Sequence, residues 1–310
     1  MRLLVVGAGS VGGYFGAKIA AAGRDVTFLV RPQRAAQLRQ GLTLRVKEED
    51  TLIPVRLIVA GEEEGHFDAI LLAVKAYQLA GVIDDIRPYC STDTLILPVL
   101  NGMKHVDTLR SRFGAERVIG GLAQIFASLD EQGRIVDHGA FHDLAYGEWD
   151  GSRTSRILAL DRHLAGAGFN ARLSTHIERD MWEKWAMLAS MAAITCGMDG
   201  DIGQVARAPG GPQLVESLFS EVVQVIAAAG QPLSDTFRSR TLALLTDPSS
   251  TLTSSMFRDM KAGRPVEADQ IIGDLIARGA AAGLATPLLS SVRVRLQVYE
   301  QRQSGSHHRN

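Results

Sequence analysis

The sequence predicts an α/β domain at the N-terminus followed by an all-helical domain. Three observations carry that prediction. The chain opens on an apolar strand that runs directly into a glycine-rich turn, Gly7-Ala8-Gly9-Ser10-Val11-Gly12. The first half then alternates short apolar runs with helical stretches, the pattern of a parallel sheet covered by helices. From His176 onward the apolar spacing becomes helical almost without interruption. The boundary is expected near residues 172–177, giving domains over 1–174 and 175–303 and a disordered polar tail over 304–310.

The first element is a continuous apolar run over 3–6, followed by an Ala-rich helix that closes at Gly23. In the Gly-x-Gly-x-x-Gly turn between them, Gly7 permits the tight turn out of the strand. Gly9 lets phosphates approach the backbone, and Gly12 lets the helix pack closely on the sheet. The exposed N–H groups at the start of that helix then face an anion. This is the fingerprint of a Rossmann-type dinucleotide-binding domain, with Gly7, Gly9, Ser10, Val11 and Gly12 as expected cofactor contacts. An ordinary strand-to-helix turn is the plainer reading.

The second strand, 25–30, decides which dinucleotide is expected. NAD sites carry Asp or Glu at its end to bind the ribose 2′-hydroxyl. Here it ends in Arg31-Pro32-Gln33-Arg34. Arg31, with Arg34 a turn later, suits a 2′-phosphate, so NADPH is expected over NADH; solvated loop arginines are the alternative.

Residues 69–74, 94–98 and 118–121 read as further sheet-core strands. Residues 42–46 and 55–59 read as a hairpin bridged by the charged turn 47–50, and 125–128, 134–138 and 143–147 as an antiparallel extension of the sheet. Helices are expected over 177–195, 213–229, 234–245, 255–261, 267–282 and 287–302, separated by Gly- and Pro-containing breaks. A nucleotide domain followed by a helical one places a ligand cleft between them.

Composition narrows the function classes. At 310 residues and a net charge of −1, no global field favours nucleic acid or an anionic membrane. No apolar run approaches the ~18 residues of a membrane span. No charged leader precedes the first strand. The only two cysteines, Cys90 and Cys196, form no CxxC pair and read as reduced thiols of a cytoplasmic protein. None of the eight histidines forms a ligand pair at zinc-like spacing, so no metal is expected.

Several residues stand where chemistry is expected. Lys75 follows the third core strand and Asn101-Gly102-Met103 the fourth, both at carboxyl ends where ligands bind in open sheets. Lys184 lies on the first long helix of the second domain, and Ser254-Ser255 and Glu267 open later helices. Each has an ordinary reading. Lys75 is a solvated strand-end lysine, Asn101-Gly102 a turn pair, and Lys184 a surface lysine with its stem on Trp182 or Trp185. Ser254 or Ser255 is an N-cap, and Glu267 a first-turn acid.

Taken together, GAGSVG at 7–12, Arg31, AVKAYQ at 73–78, LNGM at 100–103, Trp182-x-Lys184 and SSM…GRPVE across 254–267 resemble the ketopantoate reductase (2-dehydropantoate 2-reductase) family over nearly the whole chain. The resemblance implies a Rossmann domain binding NADPH, a helical domain closing over it, and reduction of a 2-oxo acid to the 2-hydroxy acid. It makes Lys184 the general acid. Glu267 becomes an acceptor for a substrate hydroxyl or for Lys184, and Ser255 a donor to the substrate carboxylate. Asn101 becomes a ligand of cofactor ribose and substrate, and Lys75 a neighbour of the cofactor.

One departure bears on substrate. Pantoate-forming enzymes place asparagines one and two turns beyond the lysine and three residues before the serine; this chain has Leu188, Ala192 and Leu252 there. A pocket without those amides no longer rejects less hydroxylated analogues. The expected substrate is therefore ketopantoate or a bulkier, less polar oxo acid. A 3-hydroxy-acid-type dehydrogenase and a non-catalytic NADPH-binding regulator stay open. The terminal helices, with Arg278, Arg293, Arg295 and Arg302, suit either a solvated face or a homodimer contact.

Overall fold

The computed structural model of the chain describes residues 1–306, with backbone alone at residue 140 and over 304–306. It separates into two compact units. One comprises Met1–Leu100 and His105–Glu178, the other Asn101–Lys104 and the chain from Arg179 onward.

In chain order the first unit contains β1 (Leu3–Val6), α1 (Ser10–Ala21), β2 (Val26–Val30), α2 (Pro32–Gln37), β3 (Leu42–Val46), β4 (Glu49–Ile53) and β5 (Arg56–Val59). There follow β6 (Phe67–Leu72), α3 (Leu79–Ile86), β7 (Cys90–Pro98), α4 (Lys104–Phe113), β8 (Gly120–Leu129), β9 (Ile135–Gly147), α5 (Ser155–Leu164) and β10 (Asn170–Leu173). Five strands form a parallel sheet in the order β5-β2-β1-β6-β7. The buried segments of its central strands, residues 3–6 and 69–72, read as apolar runs because both faces are covered. Leu3 and Val5 of β1 join one core with Phe15 and Ile19 of α1. Leu4 and Val6 join a second with Ile83 and Ile86 of α3 and Leu109 and Phe113 of α4. The chain runs from β1 outward to β2 and β5, then returns to β6 on the other side of β1. The strand order thus reverses between β1 and β6, and the carboxyl ends of those two strands frame the crevice where such sheets take ligands.

Two strand assignments are corrected. The hairpin is β3 with β4, not with 55–59: its two-residue turn is Lys47-Glu48, both at positive φ (47° and 69°), as a type I′ turn requires. Residues 56–59 form β5, the edge of the parallel sheet beside β2. The polar, exposed pattern of β4 hid it, since only Ile53 of that strand is buried. The stretch 120–147 does not extend the first sheet. Its strands β8 and β9 pair antiparallel within a second sheet of order β10-β9-β3-β4, and 134–138 and 143–147 are one continuous strand. Alternation reports a strand but not its partner, so the sequence could not assign it to a separate sheet.

The second unit is helical. Its elements are α6 (Ile177–Met198), whose first two residues belong to the first unit, then α7 (Ile202–Arg207), α8 (Gly211–Ala228), α9 (Asp235–Leu245), α10 (Ser255–Lys261), α11 (Asp274–Ala281) and α12 (Pro287–Ser306). Its buried residues include Trp185, Ala186 and Ala189 of α6, Val215, Val222 and Ile226 of α8, Leu275 of α11, and Leu289 and Leu296 of α12. Helix α7 escaped the sequence reading because six residues show no periodicity; a reciprocal capping box between Asp201 and Gln204 starts it. The segment 267–282 is not one regular helix: Asp269–Gly273 is a π-turn that leads into α11. Of the tail, 304–306 continues α12 and 307–310 lies outside the described residues. No helix among the described residues is long and apolar enough to cross a membrane.

Candidate active site

In the first unit the candidate site is built from main chain. Gly9 is the N-cap of α1, and no side chain caps the helix, so the amides of Ser10, Val11 and Gly12 lack side-chain acceptors. The three glycines do different jobs. Gly7 has φ +96°, which favours glycine, and a Cβ there would sit 3.0 Å from the Ala73 carbonyl oxygen. A Cβ on Gly12 would collide with the Gly7 carbonyl oxygen, so α1 could not pack as closely on the turn. A Cβ on Gly9 would meet nothing within 4 Å, which leaves open space above the backbone at that point. An uncapped helix N-terminus beneath open space fits the pyrophosphate of a dinucleotide.

Two strand ends flank this loop. Lys75, half-buried, lies three residues beyond β6, next to Ala73 and Val74, which approach Gly7. Arg31 stands exposed at the end of β2, as the residue preceding α2. Arg34 is not a solvated loop arginine. Its Nε donates to the Ala8 carbonyl at 3.1 Å, and its Nη1 donates to the Gly133 carbonyl and to Gln37 Oε1, both at 3.0 Å. Burial lowers its pKa from the usual arginine value. It braces the glycine loop from behind, leaving Arg31 as the solvent-facing guanidinium of the pair.

In the second unit the candidate site is built from side chains. Lys184 is half-buried on α6 and closely surrounded, and desolvation pushes its pKa down to about 8, against the opposing pull of the Glu267 carboxylate. Glu267 is itself only 8% exposed, so a buried acid and a shielded amine act on one another. The cation over the indoles of Trp182 and Trp185 is Arg278, whose guanidinium lies 5.5 and 5.8 Å from their ring centres.

Around this pair, Trp185 Nε1 donates to the Ile271 carbonyl inside the π-turn at 3.1 Å, and Gln270 Nε2 donates to the Asn101 carbonyl at 2.9 Å. Gly102 has φ +81°, and a Cβ there would sit 2.6 Å from the Gln270 carbonyl oxygen, so only glycine allows the segment 101–104 to lie this close to the turn. Leu188 (half-buried) and Ala192 (1% exposed) continue the Lys184 stripe along α6. Ser254 is the N-cap of α10, accepting from the Phe257 amide at 3.0 Å and hydrogen-bonded to Thr195 Oγ1 at 2.9 Å. Ser255 is exposed one residue later, and Leu252 is 47% exposed.

The structure thus brings Lys184 and Glu267 together and ties Asn101 to the turn that follows Glu267. It fastens the Ser254 segment to α6 beyond Ala192. Sequence reading missed Gln270 and the π-turn, because a buried glutamine and a widened turn leave no periodic signal, and it read Trp185 only as a resting surface for the Lys184 stem. Arg278 was visible only as a surface cation.

The chain matches ketopantoate reductase PanE/ApbA over residues 3–151 and the PanE/ApbA C-terminal domain over 176–300. It is 38% identical over 301 residues to the uncharacterized oxidoreductase YkpB of Bacillus subtilis (strain 168), covering 97% of this chain and 99% of that protein. Among solved structures, 2-dehydropantoate 2-reductase from Geobacter metallireducens GS-15 superposes with a TM-score of 0.85 at 29% identity, covering 96% of this chain and 99% of that one. The ternary structure of D-mandelate dehydrogenase with NADH and anilino(oxo)acetate shares the fold, with a TM-score of 0.85 at 22% identity over 98% of this chain and all of that one. With both halves of the family matched in order across an α/β unit and a helical unit, the chain belongs to the ketopantoate reductase family of oxidoreductases.

Proposed function

We propose that the protein catalyses the NADPH-dependent reduction of a 2-oxo acid, ketopantoate or a bulkier and less polar relative, to the 2-hydroxy acid, with Lys184 as general acid. The observation that carries this reading is the shielded Lys184 amine, its pKa lowered to about 8, beside the buried Glu267. Such an amine is protonated at neutral pH yet gives up its proton far more readily than an ordinary lysine.

A bound reduced nicotinamide supplies hydride to the carbonyl carbon. Negative charge then develops on the carbonyl oxygen, where the Lys184 ammonium stabilises it and delivers the proton. Glu267 favours the charged form of Lys184 before that transfer and accepts a hydrogen bond from the substrate hydroxyl. The Ser255 hydroxyl, left exposed because Ser254 caps α10, donates to the substrate carboxylate. Asn101, held through its carbonyl by Gln270, keeps its amide side chain for cofactor ribose and substrate. The amides of Gly9, Ser10, Val11 and Gly12 hold the pyrophosphate beyond the Gly7 turn, Arg31 pairs with the 2′-phosphate, and Lys75 lies beside the cofactor. Leu188, Ala192 and Leu252 present an apolar surface to the substrate tail, which favours less hydroxylated acids.

Two further features belong to this reading. Neither free thiol is part of a CxxC pair, which suits a reducing cytoplasm. The exposed Val294 and Val298 of α12 suit a homodimer contact, which sedimentation tests directly.

The function test follows oxidation of NADPH and of NADH with ketopantoate and with oxo acids bearing larger apolar tails. NADPH is expected to be preferred, and at least one acid to turn over. Binding of the dinucleotide with no turnover of any acid would favour the non-catalytic reading instead.

A further inference from the structure

The π-turn at Asp269–Gly273 is unexplained by the roles assigned so far. A turn closed by i→i+5 bonds shifts the helical ladder by one residue and turns main-chain carbonyls out of register. Buried carbonyls so exposed need donors. Ile271 is 2% exposed, and its carbonyl receives the indole N–H of Trp185, itself 1% exposed, at 3.1 Å. Trp185 is the residue after Lys184. Glu267 lies two residues before the π-turn, and the amide of Gln270 within it donates to the Asn101 carbonyl at 2.9 Å. The residues proposed to touch substrate from three separate segments of this unit are therefore linked through one widened turn, and the Trp185 indole is what joins that turn to the helix bearing Lys184.

From this geometry we infer that Trp185 is a positioning residue for the reaction: its indole N–H, bonded into the π-turn, holds Glu267 in register with Lys184. This rests on the reading of Lys184 and Glu267 given above. Neighbouring residues on a helix point about 100° apart, so one position can anchor in the core while the next faces the site. Loss of the indole donor lets the segment carrying Glu267 drift, and the ammonium form of Lys184 loses the carboxylate that supports it.

The test titrates Lys184 directly in the cofactor-free protein. Competitive acetylation with acetic anhydride across pH, read by mass spectrometry at the Lys184 peptide, gives its midpoint in wild type, Trp185→Phe and Trp185→Met. Phe keeps most of the apolar volume and removes the donor. The expected result is a midpoint lowered by about half a pH unit or more in Trp185→Phe, since one lost charge interaction moves a titration on that scale. With it, kcat for the best oxo acid should fall about tenfold while KM for the dinucleotide stays within about twofold. If Trp185→Phe does not fold, Trp185→Met, which also lacks the donor, is read in its place: a lowered midpoint supports the inference and an unchanged one overturns it. A folded Trp185→Phe with unchanged midpoint and kcat also overturns it. Failure of the underlying reading looks different, since turnover would then survive Lys184→Ala whatever the labelling shows.

Discussion

The two units handle their proposed ligands by different chemistry. In the α/β unit the groups proposed to face the ligand are chiefly main-chain amides, arranged by three glycines with distinct steric reasons and flanked by the side chains of Arg31 and Lys75. In the helical unit they are side chains, and their usefulness depends on burial and on one another, as with Lys184 and Glu267. A main-chain site is written into residue type and spacing. A side-chain site is written into tertiary surroundings, which spacing does not report.

The largest expected effect tests the side-chain half of that contrast. Lys184→Ala should lower kcat by about 10²–10⁴-fold, the range of a lost general acid, and leave dinucleotide affinity unchanged. A comparable loss of dinucleotide binding would mean the helical unit is not specialised in this way. Steady-state kinetics alongside fluorescence titration of the cofactor separates the two.

The glycines break or sharpen the main-chain half. Gly12→Ala forces a Cβ against the Gly7 carbonyl oxygen, an overpacking expected to cost about 1–3 kcal/mol and roughly 3–10 °C in Tm, with loss of cofactor binding. Gly9→Ala meets no protein atom, so Tm should hold within about 1 °C while dinucleotide affinity falls about 10-fold or more. Equal effects at the two positions in a thermal-shift and titration series would contradict the separate roles. Arg31→Ala is smaller: about a tenfold loss of NADPH affinity, one charge-assisted contact of ~1.4 kcal/mol, with NADH affinity untouched.

How far the sequence could be read follows the same contrast. The order of strand, glycine turn and helix located the tight turn between β1 and α1 from residues 3–12 alone, because only glycine satisfies the contacts at 7 and 12. The change from α/β to helical patterning also read correctly. The hairpin partner of β3 did not, since β4 is nearly all exposed and polar, and the second sheet could not be distinguished from an extension of the first. Lys184 looked like a surface lysine on composition and spacing, and only the motif set around it suggested otherwise. Its desolvation comes from the folded surroundings, and the carboxylate that opposes it, Glu267, lies far away in sequence. Gln270 carried no signal and Trp185 only that of a packing surface, because what matters about them is which carbonyl each one meets.

The smallest expected effect concerns substrate choice. Leu188→Asn restores an amide one turn beyond Lys184 at a half-buried position. It should shift the kcat/KM ratio of ketopantoate to an apolar-tailed oxo acid about three- to tenfold toward ketopantoate, the scale of one hydrogen bond in a pocket. A shift in the opposite direction would remove the stripe of Leu188 and Ala192 from the substrate surface.

The central claim is that a shielded Lys184 delivers the proton, and the pH dependence of kcat for reduction tests it most directly. The active form is the ammonium, and its pKa in the folded protein lies below the ordinary lysine value, at about 8. Reduction should therefore be fast below that pH and fall as pH rises through it, with hydroxy-acid oxidation rising over the same range because it needs the neutral amine. The falling limb should vanish in Lys184→Ala together with most of the rate. A limb near pH 10 or above, or one at about 8 that survives in Lys184→Ala, would contradict the account.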